Sequence, residues 1–151
     1  MNKLLELINV LESKIPHWET LNTSVSQSPV GWHIQHALLA TKKITSALAN
    51  SNPNKYKWKF NFSRSYVFTF NKIPRGKGEA PKSVLPDDPF DASALLRESQ
   101  IVKSKVSDLN TLKANNYFEH PFFGSLNLKS AIKFLEIHTA LHISIINDII
   151  K

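Results

Sequence analysis

The sequence lacks cysteine entirely, and its 151 residues include only four glycines. Without cysteine the chain cannot form a disulfide, a thiolate nucleophile or a cysteine-containing zinc site. Any metal that it binds must therefore be held by His, Asp or Glu side chains. No Gly-, Ser- or Pro-rich linker and no internal repeat divides the chain. We therefore predict a single domain over residues 1–151.

Long hydrophobic runs are also missing. A membrane-spanning helix needs about 20 consecutive apolar residues, and no stretch of this sequence approaches that length. The first apolar segment, residues 1–15, contains Glu6 and Glu12 within its pattern, which argues against a secretory signal peptide. We therefore expect a cytoplasmic protein that makes no membrane contact.

The first half of the chain contains two segments whose apolar residues recur at helical spacing. The first segment is closed by Pro16. The second opens with Ser28, a favourable N-cap residue, followed by Pro29 at the first helical position. It runs to about Asn50, where a turn sequence stops it.

The second half contains two more helical segments. Asp91 or Ser93 caps the third helix, and Asn127 caps the last, which runs to Ile150. The predicted core positions of the third helix are Leu95, Leu96, Ile101, Val102 and Val106. These patterns predict an all-α four-helix bundle in which a long basic and aromatic connection joins the second helix to the third.

The last helix carries His138 and His142 in the middle of its apolar face. Four residues apart, the two rings point the same way. A buried imidazole nitrogen without a partner costs about 1–3 kcal/mol, and a shared metal ion would satisfy both rings. For an isolated HxxxH pair, hydrogen bonds to carboxylates, carbonyls or buried water are the commoner explanation. A third ligand would reverse that preference.

The second helix offers two candidates for a third ligand, His33 and His36. Its main apolar face is formed by Ile34, Ala37, Leu38, Ile44 and Leu48. His36 lies away from this face, beside Trp32, in a second and partly apolar stripe. A helix packed between two neighbours would show such a stripe. Helical periodicity alone does not choose between the two histidines.

Residues 55–82 form a basic and aromatic segment with eight Lys or Arg residues and one acidic residue, Glu79. Aromatic and basic residues in alternation can bind single-stranded nucleic acid, and a positive wall can attract an anionic small molecule. We favour a third interpretation, in which the aromatics anchor the connection to the bundle and the lysines face water. We therefore do not expect nucleic acid to be a partner.

The secondary structure of the basic and aromatic segment is ambiguous. Tyr66, Phe68 and Phe70 alternate as they would in a strand. Proline and glycine predict a loop over residues 74–86. A second aromatic segment, residues 115–126, is expected to pack against the bundle. Within it, His120 precedes proline and should be extended, either near a metal or at the end of the bundle.

Several of these motifs together resemble the DinB-like superfamily of metal-binding four-helix-bundle proteins. The sequence PVGWHIQH, residues 29–36, is similar to the family's Ser-Val-Gly-type opening, in which a ligand histidine follows seven positions after the serine. That register places the ligand at His36, although Pro29 replaces the usual polar residue. His138 and His142 match the family's HxxxH pair. The segments HPFFG (120–124) and IPRG (73–76) resemble an uncharacterised subfamily.

The resemblance implies an up-down-down-up bundle, often dimeric, with a divalent metal on three histidines. On this chain the ligands would be His36, His138 and His142, with zinc or nickel as the expected metal. Relatives include thiol-dependent transferases, hydrolases and isomerases, although the last helix lacks the polar residue that follows the second histidine in many of them. We therefore expect a metal-dependent transferase or hydrolase.

The expected substrate is a small molecule that is anionic or contains a thiol. Three histidines leave a coordination position open, as in catalytic zinc sites. Arg64 and His120 are candidates for substrate contacts, and no general base can be assigned. The alternative is a non-catalytic metal-binding or structural bundle that forms a dimer.

Overall fold

The computed structural model describes residues 2–76, 85–86 and 90–151. Within this part of the chain there are five α-helices and two β-strands. They are α1 (Asn2–Ser13), α2 (Val30–Asn50), α3 (Phe62–Phe70), α4 (Ala92–Asp108), β1 (Tyr117–His120), β2 (Gly124–Asn127) and α5 (Leu128–Ile150). The two strands pair in an antiparallel sheet.

The predicted fold class, an all-α four-helix bundle with up-down-down-up order, is wrong. The described residues contain a fifth helix, α3, inside the predicted connection, and a β-hairpin inside the second aromatic segment. Both extra elements are short, and both are held by contacts with distant parts of the chain. Helical periodicity over long segments therefore identified α1, α2, α4 and α5 but not these two elements.

The hydrophobic core lies between α1, α2, α4 and α5. Both α1 and α2 pack against α4 and α5. The apolar faces predicted for α1 and α2 are buried, and so is most of the face predicted for α5. The most deeply buried large side chains of these helices include Leu4, Ile8, Leu11, Ile34, Leu38, Leu48, Leu95, Leu135 and Ile146.

Two predicted core positions of α4 are wrong. Leu96 and Ile101 are each 45% exposed. The buried stripe of the helix is formed instead by Leu95, Ser99, Val102 and Val106. Leu96 and Ile101 each lie next to a residue of this stripe in the sequence, which puts them about 100° away from it around the helix.

The start of α2 differs from the prediction by one residue. Pro29, not Ser28, occupies the N-cap position, so no side chain caps the helix. The first amides are satisfied by the preceding backbone, which passes across the helix end. Val30 N–H donates to the carbonyl of Thr20 at 3.0 Å, and Gly31 N–H donates to the carbonyl of Trp18 at 2.8 Å. Main-chain carbonyls can therefore replace the predicted serine cap.

Gly31 permits this close approach. A Cβ atom at this position would overlap the ring of Phe90 and lie 3.0 Å from the carbonyl oxygen of Trp18. The glycine therefore lets two segments pack directly on the first turn of α2. That contact helps to fix the position of the next turn, which carries His33 and His36.

The strand-like alternation within residues 66–70 was misleading, because this stretch belongs to α3. The side chain of Asn61 accepts a hydrogen bond from Arg64 N–H at 2.8 Å and starts the helix. Asn71, with a left-handed φ of 50°, ends it. Arg64 and Val67 face inward, three residues apart, as a helix requires.

The expectation that the aromatics of residues 55–82 anchor the connection is also wrong for most of the described ones. Trp58 is 65% exposed, Phe60 67%, Phe62 76% and Phe70 63%. In α3, Phe62, Tyr66 and Phe70 recur every four residues and form an outward aromatic face.

The segment before α5 forms the β-hairpin, with His120 opposite Gly124 and Tyr117 opposite Asn127. The turn ends at Gly124, whose φ of 68° is left-handed and therefore favours glycine. The prediction that His120 is extended is confirmed. The prediction that the segment packs is confirmed as well, since Phe123 and Leu126 are buried.

Part of the predicted loop over residues 74–86 falls outside the described residues, namely positions 77–84. Pro74 and Gly76 follow α3 without regular helix or strand structure, as predicted. Among the described residues, no helix combines the length and apolar character that crossing a membrane would require.

Candidate metal centre

Three histidines that are distant in the sequence meet between α2 and α5. His36 comes from α2, and His138 and His142 come from α5. The ring centroid of His36 lies 5.2 Å from that of His138 and 4.8 Å from that of His142. The two α5 rings are 4.7 Å apart. One nitrogen from each ring lies within 4.8 Å of the others. The structure thus brings together the three predicted ligands.

The local structure of α5 sets the direction of two of these rings. Asn127 caps the helix by accepting a hydrogen bond from Ser130 N–H at 3.0 Å, as predicted. From there the helix continues without interruption past His138 and His142, which lie one turn apart on the same face. Because α5 packs against α2, this face meets the side of α2 that carries His36.

Burial keeps the two imidazoles of α5 uncharged at neutral pH. Desolvation, with smaller contributions from His36 and His120, lowers the pKa of His138 to about 3 from its ordinary value of 6.5. Desolvation also places the pKa of His142 well below 6.5, helped by the neighbouring histidines. A neutral imidazole has a free lone pair, which is the form that binds a metal.

One ring nitrogen in the cluster is available to bind a metal ion. The Nδ1 atom of His138 is buried and has no hydrogen-bond partner among the described residues. Leaving such an atom unsatisfied costs about 1–3 kcal/mol. A metal ion is one partner that would remove this cost, and three imidazoles suit zinc, nickel, copper or iron. The cluster of His36, His138 and His142 can therefore hold a metal ion.

His33 lies beside this cluster and contacts it through His142. Its Nδ1 atom is 3.1 Å from Nδ1 of His142, and its Nε2 atom is 2.9 Å from Oγ of Ser26. The residue is only 5% exposed. Desolvation and the nearby His36 lower its pKa to about 4. The helical pattern could not choose between His33 and His36. The choice depends on His142, which lies more than 100 residues further along the chain.

Trp32 supports His36. The two rings stack with centroids 5.0 Å apart and planes within 6° of parallel. The rings of Trp32 and His33 are nearly perpendicular, with centroids 5.1 Å apart. Trp32 lies four residues before His36, so their side chains share one face of α2. The sequence placed the two residues side by side, but it gave no sign of the stacking.

His120, a predicted substrate contact, lies near the cluster and contacts Phe134, which in turn contacts His138. Its Nδ1 atom accepts hydrogen bonds from the backbone N–H groups of Phe122 and Phe123, at 3.1 and 3.2 Å. Phe134 separates it from His138, with ring centroids 4.6 Å from His120 and 5.6 Å from His138. Desolvation lowers the pKa of His120 to about 4. Its role in substrate binding stays a prediction.

Arg64, the other predicted substrate contact, is only 8% exposed and bonded to backbone carbonyls. Its guanidinium donates to the carbonyls of Phe123 at 3.4 Å, Ser125 at 3.2 Å and Lys59. It also lies 5.8 Å above the ring of Trp58. These contacts tie α3 and the preceding segment to the hairpin. A role for Arg64 in binding an anion stays a prediction.

Comparisons of the chain with protein-family models, with curated proteins and with solved structures give no match. Membership of the DinB-like superfamily is therefore not shown. The resemblance rests on the short motifs quoted above, together with the meeting of the three histidines.

Proposed function

We propose that this protein is an enzyme that uses a divalent transition metal, zinc or nickel, bound by His36, His138 and His142. The observation that carries this proposal is the convergence of three imidazoles from two helices, one of which, His138, has an unsatisfied Nδ1 atom. The resemblance to the DinB-like superfamily agrees with the same three ligands.

The composition of the cluster favours an open metal site over a closed one. It consists of three histidines, which leaves a fourth tetrahedral position for water or substrate. A metal in such a site supplies a Lewis acid that lowers the pKa of bound water toward about 7 or binds a thiol as thiolate. We infer a small-molecule substrate that is anionic or contains a thiol.

Access to the site is easiest beside His138. His36 and His142 are only 4% and 7% exposed, whereas His138 keeps part of its surface accessible. The ring of Phe134 contacts both His138 and His120, so His120 is the predicted substrate contact that lies near this ligand.

Binding a metal would draw the three rings together. Their candidate ligand atoms lie up to 4.8 Å apart, whereas the ligands of a tetrahedral zinc with bonds of about 2.0–2.1 Å are roughly 3.4 Å apart. The side chains would have to rotate to supply this difference.

A second candidate function is metal binding without turnover. The near-complete burial of His36 and His142 favours it, because little of the cluster is left for a substrate to contact. A structural metal would contribute directly to folding, so its removal would strongly lower the melting temperature.

Elemental analysis tests the metal site. Wild-type protein, His142→Ala and a control variant His17→Ala would be purified without chelator or affinity tag. His17 is exposed and lies in a short 3-10 helix outside the cluster. We expect about one transition metal per chain in the wild type and the control, and much less in His142→Ala. Equal metal content in all three proteins would contradict the proposal.

Cobalt substitution separates the two candidate functions. A low-molecular-weight thiol added to the Co²⁺-loaded protein should produce a thiolate-to-cobalt absorption band if a coordination position is open. A closed structural site would leave the spectrum unchanged.

The homodimer implied by the family resemblance is a separate proposal, and sedimentation analysis of the wild type would test it.

A further inference from the structure

We infer that His33 and Ser26 position the metal ligand His142, through a hydrogen-bonded chain that determines which nitrogen of His142 faces the metal. This inference rests on the proposed metal site. It assigns roles to two residues that are not themselves ligands. His33 and Ser26 are positioning residues because they act through His142.

The hydrogen-bonded chain runs from the histidine cluster to the loop that precedes α2. Nδ1 of His142 and Nδ1 of His33 are 3.1 Å apart, and Nε2 of His33 is 2.9 Å from Oγ of Ser26. The same oxygen accepts a hydrogen bond from Ser28 N–H at 3.1 Å. Both imidazoles are buried, at 5% and 7% exposure, so water cannot readily replace these partners.

The positions of the protons follow from the geometry. Two facing ring nitrogens can bond only if one carries a proton and the other a lone pair. If Nε2 of His142 binds the metal, its Nδ1 carries the proton and donates to His33. Nε2 of His33 then carries the second proton and donates to Ser26. Ser26 Oγ can accept this bond as well as the one from Ser28, because a hydroxyl oxygen has two lone pairs.

The opposite arrangement is incompatible with metal binding. If Nδ1 of His33 were the donor, neutral His142 would carry its proton on Nε2, and its lone pair would point to His33. His142 could not then bind the metal through Nε2. The hydrogen-bonded chain is therefore completed in a single direction when the metal binds, and His33 holds His142 in the tautomer that the metal requires.

The acceptor in this hydrogen-bonded chain differs from the usual acceptors of metal-bound histidines. A metal-bound histidine commonly donates its second N–H to a carboxylate, a backbone carbonyl or water. Here the acceptor is a neutral imidazole. Because it adds no negative charge, the positive charge of the metal would be reduced less than by a carboxylate acceptor.

Two substitutions at position 33 test the role of the acceptor. His33→Phe keeps a ring but removes the lone pair at the Nδ1 position. His33→Asn keeps an acceptor there, because its side-chain oxygen can occupy a similar place. We expect His33→Phe to weaken zinc binding about 10–100-fold, and we expect His33→Asn to bind close to the wild type. Competition with a chromophoric chelator measures these affinities.

A purely structural role for His33 would appear as a loss of stability in the metal-free variants. Chemical unfolding of the three metal-free proteins measures how much each substitution affects the fold alone. Long-range ¹H–¹⁵N NMR of the zinc-loaded wild type should show the His142 proton on Nδ1. A proton on Nε2, equal affinity in His33→Phe, or equal loss in both variants would overturn the inference. If the wild type binds no metal, the proposed function itself fails first.

Discussion

Trp32 lies flat against His36, with the two rings within 6° of parallel. The stacking brings one of the three tryptophans of the chain against a candidate metal ligand. Transition metals with unfilled d shells, such as Ni²⁺ or Cu²⁺, quench nearby indole fluorescence. The structure thus provides an internal probe for metal binding.

We expect titration with Ni²⁺ to quench the part of the fluorescence that comes from Trp32. In Trp32→Phe this quenching should be largely lost, whereas in Trp58→Phe it should remain, because Trp58 lies over Arg64 instead. Steady-state fluorescence during the titration measures both. Equal quenching in wild type and Trp32→Phe would place the bound nickel elsewhere.

The unsatisfied Nδ1 atom of His138 predicts a conflict between metal binding and stability. In the metal-free protein, His138→Leu removes a buried polar atom that lacks a partner. We expect its free energy of unfolding to be unchanged or raised by about 1 kcal/mol, while metal binding is lost. Urea unfolding and elemental analysis measure the two effects.

Phe134→Leu is the matched control for that substitution, because Phe134 packs against His138 and lies in the hydrophobic core. It should destabilise the protein, since it leaves a cavity. A loss of several kcal/mol in metal-free His138→Leu would mean that the imidazole has a favourable partner in the fold.

The histidines also predict how stability depends on pH. Burial lowers the pKa of His33 and His120 to about 4 and that of His138 to about 3, from an ordinary value of 6.5. Below pH 6.5 the unfolded chain binds protons that the folded chain does not, so the free energy of unfolding decreases as the pH falls. This loss should begin near pH 6.5 and continue to about pH 3.

Urea unfolding of metal-free protein at intervals across this range measures the dependence. His120→Asn should make it shallower, because one buried histidine no longer titrates. The carboxyl groups of Glu12, Asp91 and Asp148 also have lowered pKa values, from ordinary values of 4.5 and 3.8. They add to the loss only in the more acidic part of the range. A stability that stays constant from pH 6.5 to 5 would contradict the prediction.

The two faces of α3 predict opposite responses to substitution. Phe62 is 76% exposed, whereas Val67 is 5% exposed. We expect Phe62→Ser to change the free energy of unfolding by less than about 0.5 kcal/mol, and Val67→Ala to reduce it by about 2 kcal/mol. Thermal or chemical unfolding compares them. A large loss in Phe62→Ser would show that this aromatic face is covered in solution.

The helices that carry the candidate metal centre could be predicted because their signals are local. Asn127 and the repeating apolar positions that follow it define α5, and the spacing of His138 and His142 on one face follows from the helix itself. The resemblance then selected His36 over His33. Neither step required knowledge of distant contacts.

The missed features depend on contacts between distant residues. The hairpin and α3 are held together by Arg64, whose guanidinium bonds to carbonyls about sixty residues further along the chain. The cap of α2 comes from the carbonyls of Trp18 and Thr20, which are main-chain atoms that no side-chain pattern reveals. Similarly, the partner of His33 is His142 on another helix.

The candidate ligands come from both ends of the chain, since His36 and His142 are 142 − 36 = 106 residues apart. In the unfolded chain these two side chains are not held near each other, so an ion would bind the folded form more tightly than the unfolded chain. At a free concentration a thousand times its dissociation constant, such an ion would add up to about 4.1 kcal/mol to the free energy of unfolding. The amount of metal available to the protein would then set the fraction of molecules that stay folded under stress.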